Sequence, residues 1–280
     1  MVVFPNAKIN LGLNIIRKRE DGYHDLETIF YPLLIQDIVE VITNSSSITS
    51  NQSINFSATG LPVNGDENNN LCIKAYRLLK KDFPTLPSIQ MHLHKTIPMG
   101  AGLGGGSADG AFVLRLLNEK YQLALTPQQL IEYALQLGSD CPFFIVNQPC
   151  FATGRGEHMK AITLNLSAYH CIIVNPGIHV ATGWAFSQLT PQEPIHSLQE
   201  LIQAPVESWK ETISNDFEQP VFKQYPAIEA IKKQLYNAGA VYAAMSGSGS
   251  TVFGLFEKEN TPKLAFPSNY FVRSVDAILP

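Results

Sequence analysis

Residues 98–108, Pro-Met-Gly-Ala-Gly-Leu-Gly-Gly-Gly-Ser-Ala, constrain this chain more than any other stretch. Seven of the eleven are glycine or alanine. With no bulky side chains in the way, successive backbone N–H groups can turn inward and approach an anion. Ala108, Ala111, Phe112, Leu116 and Leu117 follow at roughly helical spacing, so Ser107 opens a helix and the loop delivers its contents to the positive end of the helix dipole. The stretch predicts a phosphate-holding loop between a strand and an amphipathic helix.

Other glycine-rich phosphate loops fit less well. A G-x-x-x-x-G-K-[ST] loop needs a lysine before its hydroxyl residue, and Gly106 stands there. Gly100 to Gly105 matches G-x-G-x-x-G literally, but the acidic residue some twenty positions on would be Glu119, at the end of a helix and not of a strand. A dinucleotide fold is therefore not expected.

The 280 residues are 45% hydrophobic and 16% charged, a globular composition long enough for two modest domains. A net charge of -4 without a dense Lys/Arg run offers no long-range attraction to nucleic acid or anionic lipid. An anionic ligand must then be held by local groups and a metal ion. Cys72, Cys141, Cys150 and Cys171 form no C-x-x-C pair, which fits buried thiols in a reducing compartment. The first residues lack the features of a signal peptide and no apolar run approaches the ~20 residues of a membrane span, so a cytoplasmic protein is expected.

From Ala7 to Ile16, Ile9, Leu11, Leu13 and Ile15 alternate with Lys8, Asn10, Gly12 and Asn14, a strand that puts Lys8 and Asn10 on one face. That pattern suits an edge strand with a solvated face, or a lysine and an amide supplied to a polar site. Asp21-Gly22 marks a turn, and Tyr23-His24 after it suit either stacking on a planar base or packing on a sheet. A strand-like run covers 28–42, and the polar stretch 44–53 reads as a hairpin loop. Asn68 to Asn70 predict a helix start, with the helix continuing to Phe83 and Leu71, Ala75, Leu78 and Leu79 inward. Ile89, Met91 and Leu93 predict the strand before the loop, with His92 and His94 exposed and no third metal ligand nearby. Thr126-Pro127-Gln128-Gln129 is a capping box, and the helix it begins ends at Gly138. Asp140 then stands at the mouth of an apolar segment, where desolvation and a neighbouring cation would compete over its proton, or it is a surface carboxylate at a helix end. Beyond the turn-rich 153–157, a strand from Cys171 to Asn175, two aromatics (Trp184 and Phe186), a helix from Pro226 to Gly239 and a strand from Val241 to Met245 are expected. The small-residue loop Ser246 to Ser250 could close over the first loop.

Pro5-Asn-Ala-Lys8-Ile-Asn10-Leu, the loop 98–108 and the late Ser-Gly-Ser-Gly stretch together resemble the three ordered signatures of the GHMP small-molecule kinases. Arg19-Glu-Asp-Gly-Tyr-His24 and Leu137-Gly-Ser-Asp140-Cys-Pro-Phe-Phe are similar to those members whose acceptor is a cytidine diphosphate-linked methylerythritol, in isoprenoid precursor synthesis. The resemblance spans nearly the whole chain. It implies a two-domain α/β (α+β) fold of mixed sheets with helices and ligands in the cleft between; the turn-rich 153–157 marks the expected domain transition, dividing the chain as 1–155 and 156–280. ATP phosphates would lie on Pro98, Met99, Gly100, Ala101, Gly102, Leu103, Gly104, Gly105, Gly106, Ser107 and Ala108. Asp140 would accept the proton of the substrate's 2-hydroxyl, and Lys8 would hold Asp140 ionised and stabilise the moving phosphoryl group. Asn10, Tyr23, His24 and Phe186 would bind the substrate, with Trp184 the other possible second stacking ring. Mg²⁺ is implied without assignable ligands; a monomer or homodimer with no nucleic-acid or membrane partner is implied as well. Cys141 stands where small aliphatic residues are commoner in the family, and Trp184 adds bulk beside the base pocket. A GHMP kinase for another small alcohol, of the homoserine or mevalonate type, and a non-catalytic sensor are the alternatives.

Overall fold

The computed structural model describes residues 1–44, 53–63 and 65–277. Most of the polar stretch expected to be a hairpin loop, residues 45–52, lies outside the described residues. The chain forms two compact units, each assembled from separate stretches. One takes Met1–Ala7, Ile35–Met99 and Gly104–Asn147; the other takes Lys8–Leu34, Gly100–Leu103 and the chain from Gln148 onward.

The first unit holds a four-stranded sheet in the order Val2–Val3, Ile38–Thr43, Ile89–Lys95, Ile54–Gly60. The last two pair in parallel and the others antiparallel. Ile89, Met91 and Leu93 are buried as their alternation predicts. His92 and His94 are half-buried, not exposed, because Ser57 and Thr59 on the neighbouring strand hydrogen-bond their rings at 2.8–2.9 Å. The helix Leu71–Asp82 starts where the Asn70 side chain accepts from the Cys72 N–H (2.9 Å), and it buries Cys72, Ile73, Ala75, Tyr76 and Leu79. The loop helix, Gly105–Lys120, begins two residues before Ser107, because Gly104 takes φ +70° and closes the turn in a region that glycine enters without strain. Gly110 lets it lie close to Leu71, whose Cβ would be 2.9 Å from any Cβ at Gly110. The capping box at Thr126 starts the helix Pro127–Leu137. After Gly138, whose backbone is extended, the apolar segment beyond Asp140 forms the short helix Cys141–Val146.

The second unit contains two four-stranded sheets. One orders Asn6–Lys18, His24–Gln36, Cys150–Gly154 and His158–Ala161. The run expected over 28–42 is in fact two strands, interrupted at the fully buried Asp37. The other sheet is antiparallel throughout, ordered Tyr242–Met245, Val252–Glu257, Tyr169–Asn175, Phe271–Asp276. Helices Thr182–Ser187, Glu218–Gln224 and Pro226–Asn237 bring Ala185, Val221, Ile228, Ile231 and Leu235 into one core with Leu13, Ile15, Val174, Met245 and Val252. Full burial contributes about 1.5–3 kcal/mol for each large aliphatic side chain, which holds these distant segments together.

Candidate functional site

Three motifs far apart in sequence meet inside the second unit. The Lys8 N–H donates to the Leu103 carbonyl at 2.9 Å, and the Thr251 N–H to the Ala101 carbonyl at 3.2 Å. The Ser246 hydroxyl donates to the Gly102 carbonyl (2.8 Å) and accepts from the Asn10 N–H (3.2 Å). Gly102 has φ +80°, and a Cβ there would lie 2.1 Å from the Ser246 carbonyl oxygen. Only glycine permits this approach. The late small-residue loop therefore does close on the glycine loop, as its composition suggests.

Lys8 is 3% exposed. Its ammonium donates to Asn10 Oδ1 at 2.6 Å and lies 5.1 Å from the Phe30 ring centroid. Thr28 donates its hydroxyl proton to the Gly12 carbonyl (2.6 Å) and so can only accept from Asn10 Nδ2 (2.9 Å), which turns Asn10 Oδ1 toward the lysine. Strand alternation put Lys8 and Asn10 on one face; Thr28, which orients the amide, lies on another strand and left no local signal.

Pro98, Met99 and the end of the loop, Gly104–Ala108, belong to the first unit, together with Asp140. The N-terminal cap position of the loop helix is Gly104, which has no side chain to offer a cap. Ser107 hydrogen-bonds the Cys141 side chain, next to Asp140, and burial pushes the Cys141 thiol up to about 12. Asp140 is half-buried and precedes the helix Cys141–Val146 without capping it through its side chain. Among the described residues no three acidic, histidine or cysteine side chains converge as a metal cage.

Tyr23 is 53% exposed, with the Arg155 guanidinium 4.5 Å from its ring centroid. His24 stacks on Phe186, with centroids 4.7 Å apart and planes at 18°. Burial, aided by Lys18, lowers the His24 pKa, which favours the neutral ring. Trp184 meets Tyr225 edge-on at 5.8 Å, and both Trp184 and Phe186 pack on the core, Phe186 edge-on against Phe217 at 4.9 Å. The structure thus joins His24 to Phe186 and turns Trp184 elsewhere.

One cluster has no counterpart in the sequence reading. Lys95 Nζ donates to Asp37 Oδ2 (2.5 Å) and to Asp109 Oδ2 (2.7 Å), all three side chains being almost fully buried. Asp37 Oδ1 accepts from the Thr96 and Ile97 N–H groups. The available signal was Asp109 itself, a charged residue on the inward face of an amphipathic helix, beside Ala108.

Family profiles described as "GHMP kinases N terminal domain" and "GHMP kinases C terminal" match residues 70–154 and 196–266. A 4-diphosphocytidyl-2-C-methyl-D-erythritol kinase of Bacteroides fragilis is 54% identical over 92% of this chain and 93% of its own length. One of Cytophaga hutchinsonii is 44% identical over 96% of each. A solved 4-(cytidine 5'-diphospho)-2C-methyl-D-erythritol kinase superposes with TM-score 0.78 at 31% identity, covering 92% of this chain and 90% of its own. Homoserine kinase of Cytophaga hutchinsonii shares the fold at TM-score 0.68 and 14% identity, over 97% and 94% of the two chains. The chain belongs to the GHMP kinase family.

Proposed function

We propose that the protein transfers the γ-phosphoryl group of ATP to the 2-hydroxyl of 4-diphosphocytidyl-2-C-methyl-D-erythritol, giving the 2-phosphate and ADP, in isoprenoid precursor synthesis. The observation that carries the reading is the 54% identity, over almost the full length of both chains, to a relative of that name. The two profile matches favour a functional division near residue 155.

In this reading the loop 98–108 holds the phosphates through backbone N–H groups. Asp140 accepts the proton of the attacking hydroxyl, and Lys8 stabilises charge on the transferred group. Asn10 aims the ammonium and takes part in substrate binding; Tyr23, His24 and Phe186 receive the cytosine. Phosphoryl transfer needs little covalent help from protein, so positioning and fixed donors supply most of the rate. The burial of Lys8 favours this role, because an ammonium removed from water acts more strongly on nearby charge. Mg²⁺ usually keeps several waters and relies on substrate phosphates with one or two protein oxygens, which suits a site without a dedicated cage. Ser107, in the first helical turn, is the hydroxyl we assign toward it. Such an ion would neutralise charge on the phosphates.

The test is ATP consumption by purified protein with the cytidine-bearing alcohol, homoserine and mevalonate offered in parallel. Turnover with the first alone is expected. Turnover with another acceptor would discard the base pocket while keeping the kinase; ATP binding without turnover would favour a sensor.

A further inference from the structure

In the antiparallel sheet of the second unit, Ser274, His170 and Asp276 form a chain of hydrogen bonds. The last strand, Phe271–Asp276, pairs with Tyr169–Asn175 so that Asp276 lies directly opposite His170 and Ser274 opposite Ile172. Alternation puts Ser274 and Asp276 on one face, and the imidazole of His170 reaches both. Its Nδ1 meets Asp276 Oδ1 at 2.9 Å, and its Nε2 meets Ser274 Oγ at 2.5 Å. Ser274 and Asp276 are exposed, and the His170 side chain is 22% exposed. This sheet is not the one that carries Lys8 and Asn10.

The proton positions follow from the partners. His170 foremost, and then Lys258, whose Nζ lies 3.5 Å from Oδ1, hold the Asp276 carboxyl below the usual carboxylate range. A carboxylate only accepts, so the ring proton sits on Nδ1. In the neutral ring Nε2 is then an acceptor, and the Ser274 hydroxyl donates to it. Hydroxyl, base and orienting carboxylate in that order are the arrangement that makes a serine nucleophilic.

The backbone adds a donor. The Ala277 N–H donates to the Tyr169 carbonyl at 3.1 Å, so the odd-numbered residues of the last strand carry the ladder bonds. The Ser274 N–H therefore points away from the ladder, toward the edge of the sheet and beside its own hydroxyl. An oxyanion formed at Ser274 would find that N–H next to it. Val272, on the same face, is half-buried and packs on the core, an apolar shelf that suits a short acyl chain.

We propose that Ser274, His170 and Asp276 are a hydrolytic centre, distinct from the kinase chemistry, that cleaves esters of short acyl chains. Ser274 Oγ attacks the ester carbonyl carbon while His170 Nε2 takes the hydroxyl proton. The bond to the leaving alcohol breaks as that proton passes to the alcohol oxygen, and the acyl group stays on Ser274. Water then adds to the acyl carbon, giving its proton to His170. The bond to Oγ breaks, the proton returns to Oγ, and the acid leaves.

The experiment offers p-nitrophenyl acetate to the purified full-length protein and, separately, treats it with a fluorophosphonate probe, mapping the modified residue by mass spectrometry. Nitrophenolate release above the buffer rate and a single label on Ser274 are expected. Ser274→Ala and His170→Ala should return release to the buffer rate. Asp276→Asn should lower it by about tenfold or more, because the imidazole loses its tautomer and its orientation. Ser274 is exposed, so thermal unfolding of Ser274→Ala should match the wild type. Release that persists in Ser274→Ala, or a label on another residue, would overturn the proposal. No release and no label in the wild type would overturn it too, leaving His170 as a structural link between the two strands. Should a variant not fold, the label map of the wild-type protein decides alone.

Discussion

Two glycines of one loop should respond in opposite ways to the same added methyl group. Gly102 has φ +80°, and its Cβ would lie 2.1 Å from the Ser246 carbonyl oxygen and 3.3 Å from that of Gly249. These are backbone atoms, so no rotamer change relieves the overlap. The left-handed conformation costs alanine about 1–2 kcal/mol. The loop must also shift, giving up the bond from the Ser246 hydroxyl to Gly102 and the one from the Thr251 N–H to Ala101, at about 1 kcal/mol each. Reduced freedom of the unfolded chain returns about 0.4–1 kcal/mol. Gly102→Ala should therefore lose about 3 kcal/mol, a fall in Tm of about 10 °C for a domain of this size. Gly106 lies in the helix Gly105–Lys120, and a Cβ there meets nothing within 4 Å. Gly106→Ala should leave stability unchanged or raise it by up to about 1 kcal/mol, the difference in helix propensity. If the first helical turn cradles phosphate, the same methyl should weaken Mg-ATP binding. Thermal unfolding of both variants beside nucleotide titration separates the effects. A Gly102→Ala protein melting within about 2 °C of the wild type would refute the close contact between the two loops.

Asp140→Asn should bind ATP as the wild type does and lower kcat by roughly 10²-fold or more, the usual scale for a lost general base; unaltered kcat removes Asp140 from the mechanism. Tyr23→Ala and Phe186→Ala should raise the KM for the cytidine-bearing substrate with little change in kcat, and Trp184→Ala should do so less, because that ring packs on Tyr225; an effect confined to kcat counts against stacking. Burial lowers the pKa of His24, so its ring loses its proton more readily than a free imidazole. Any change of the same KM with His24 protonation should be centred below the pH at which a free imidazole titrates, and a transition centred at or above 6.5 would contradict the burial argument.

Where evidence is local in the chain, much of the site was legible. Asn70 and the capping box at Thr126 mark helix starts through side chains that bond N–H groups within three residues, and both helices begin there. Lys8 and Asn10 share a face because strand alternation is a property of the backbone. The strand Phe271–Asp276 was not legible: it lies at a sheet edge, and its Arg273, Ser274 and Asp276 blur the alternation. The interruption at Asp37 was hidden for another reason. Its carboxylate is matched by Lys95, Thr96 and Ile97, almost sixty residues away.

The sequence by itself determined most of the element types and the resemblance to the GHMP kinases, since each depends on patterns carried by a few consecutive residues. Only the tertiary structure decided that Ser246 closes on Gly102, that Thr28 orients Asn10 toward Lys8, that His24 stacks on Phe186 and not Trp184, and that Asp109 is buried against Lys95. These pairings are made across long sequence separations by the packing of a shared core, and a charge or ring placed there shows in the sequence only as a residue out of pattern.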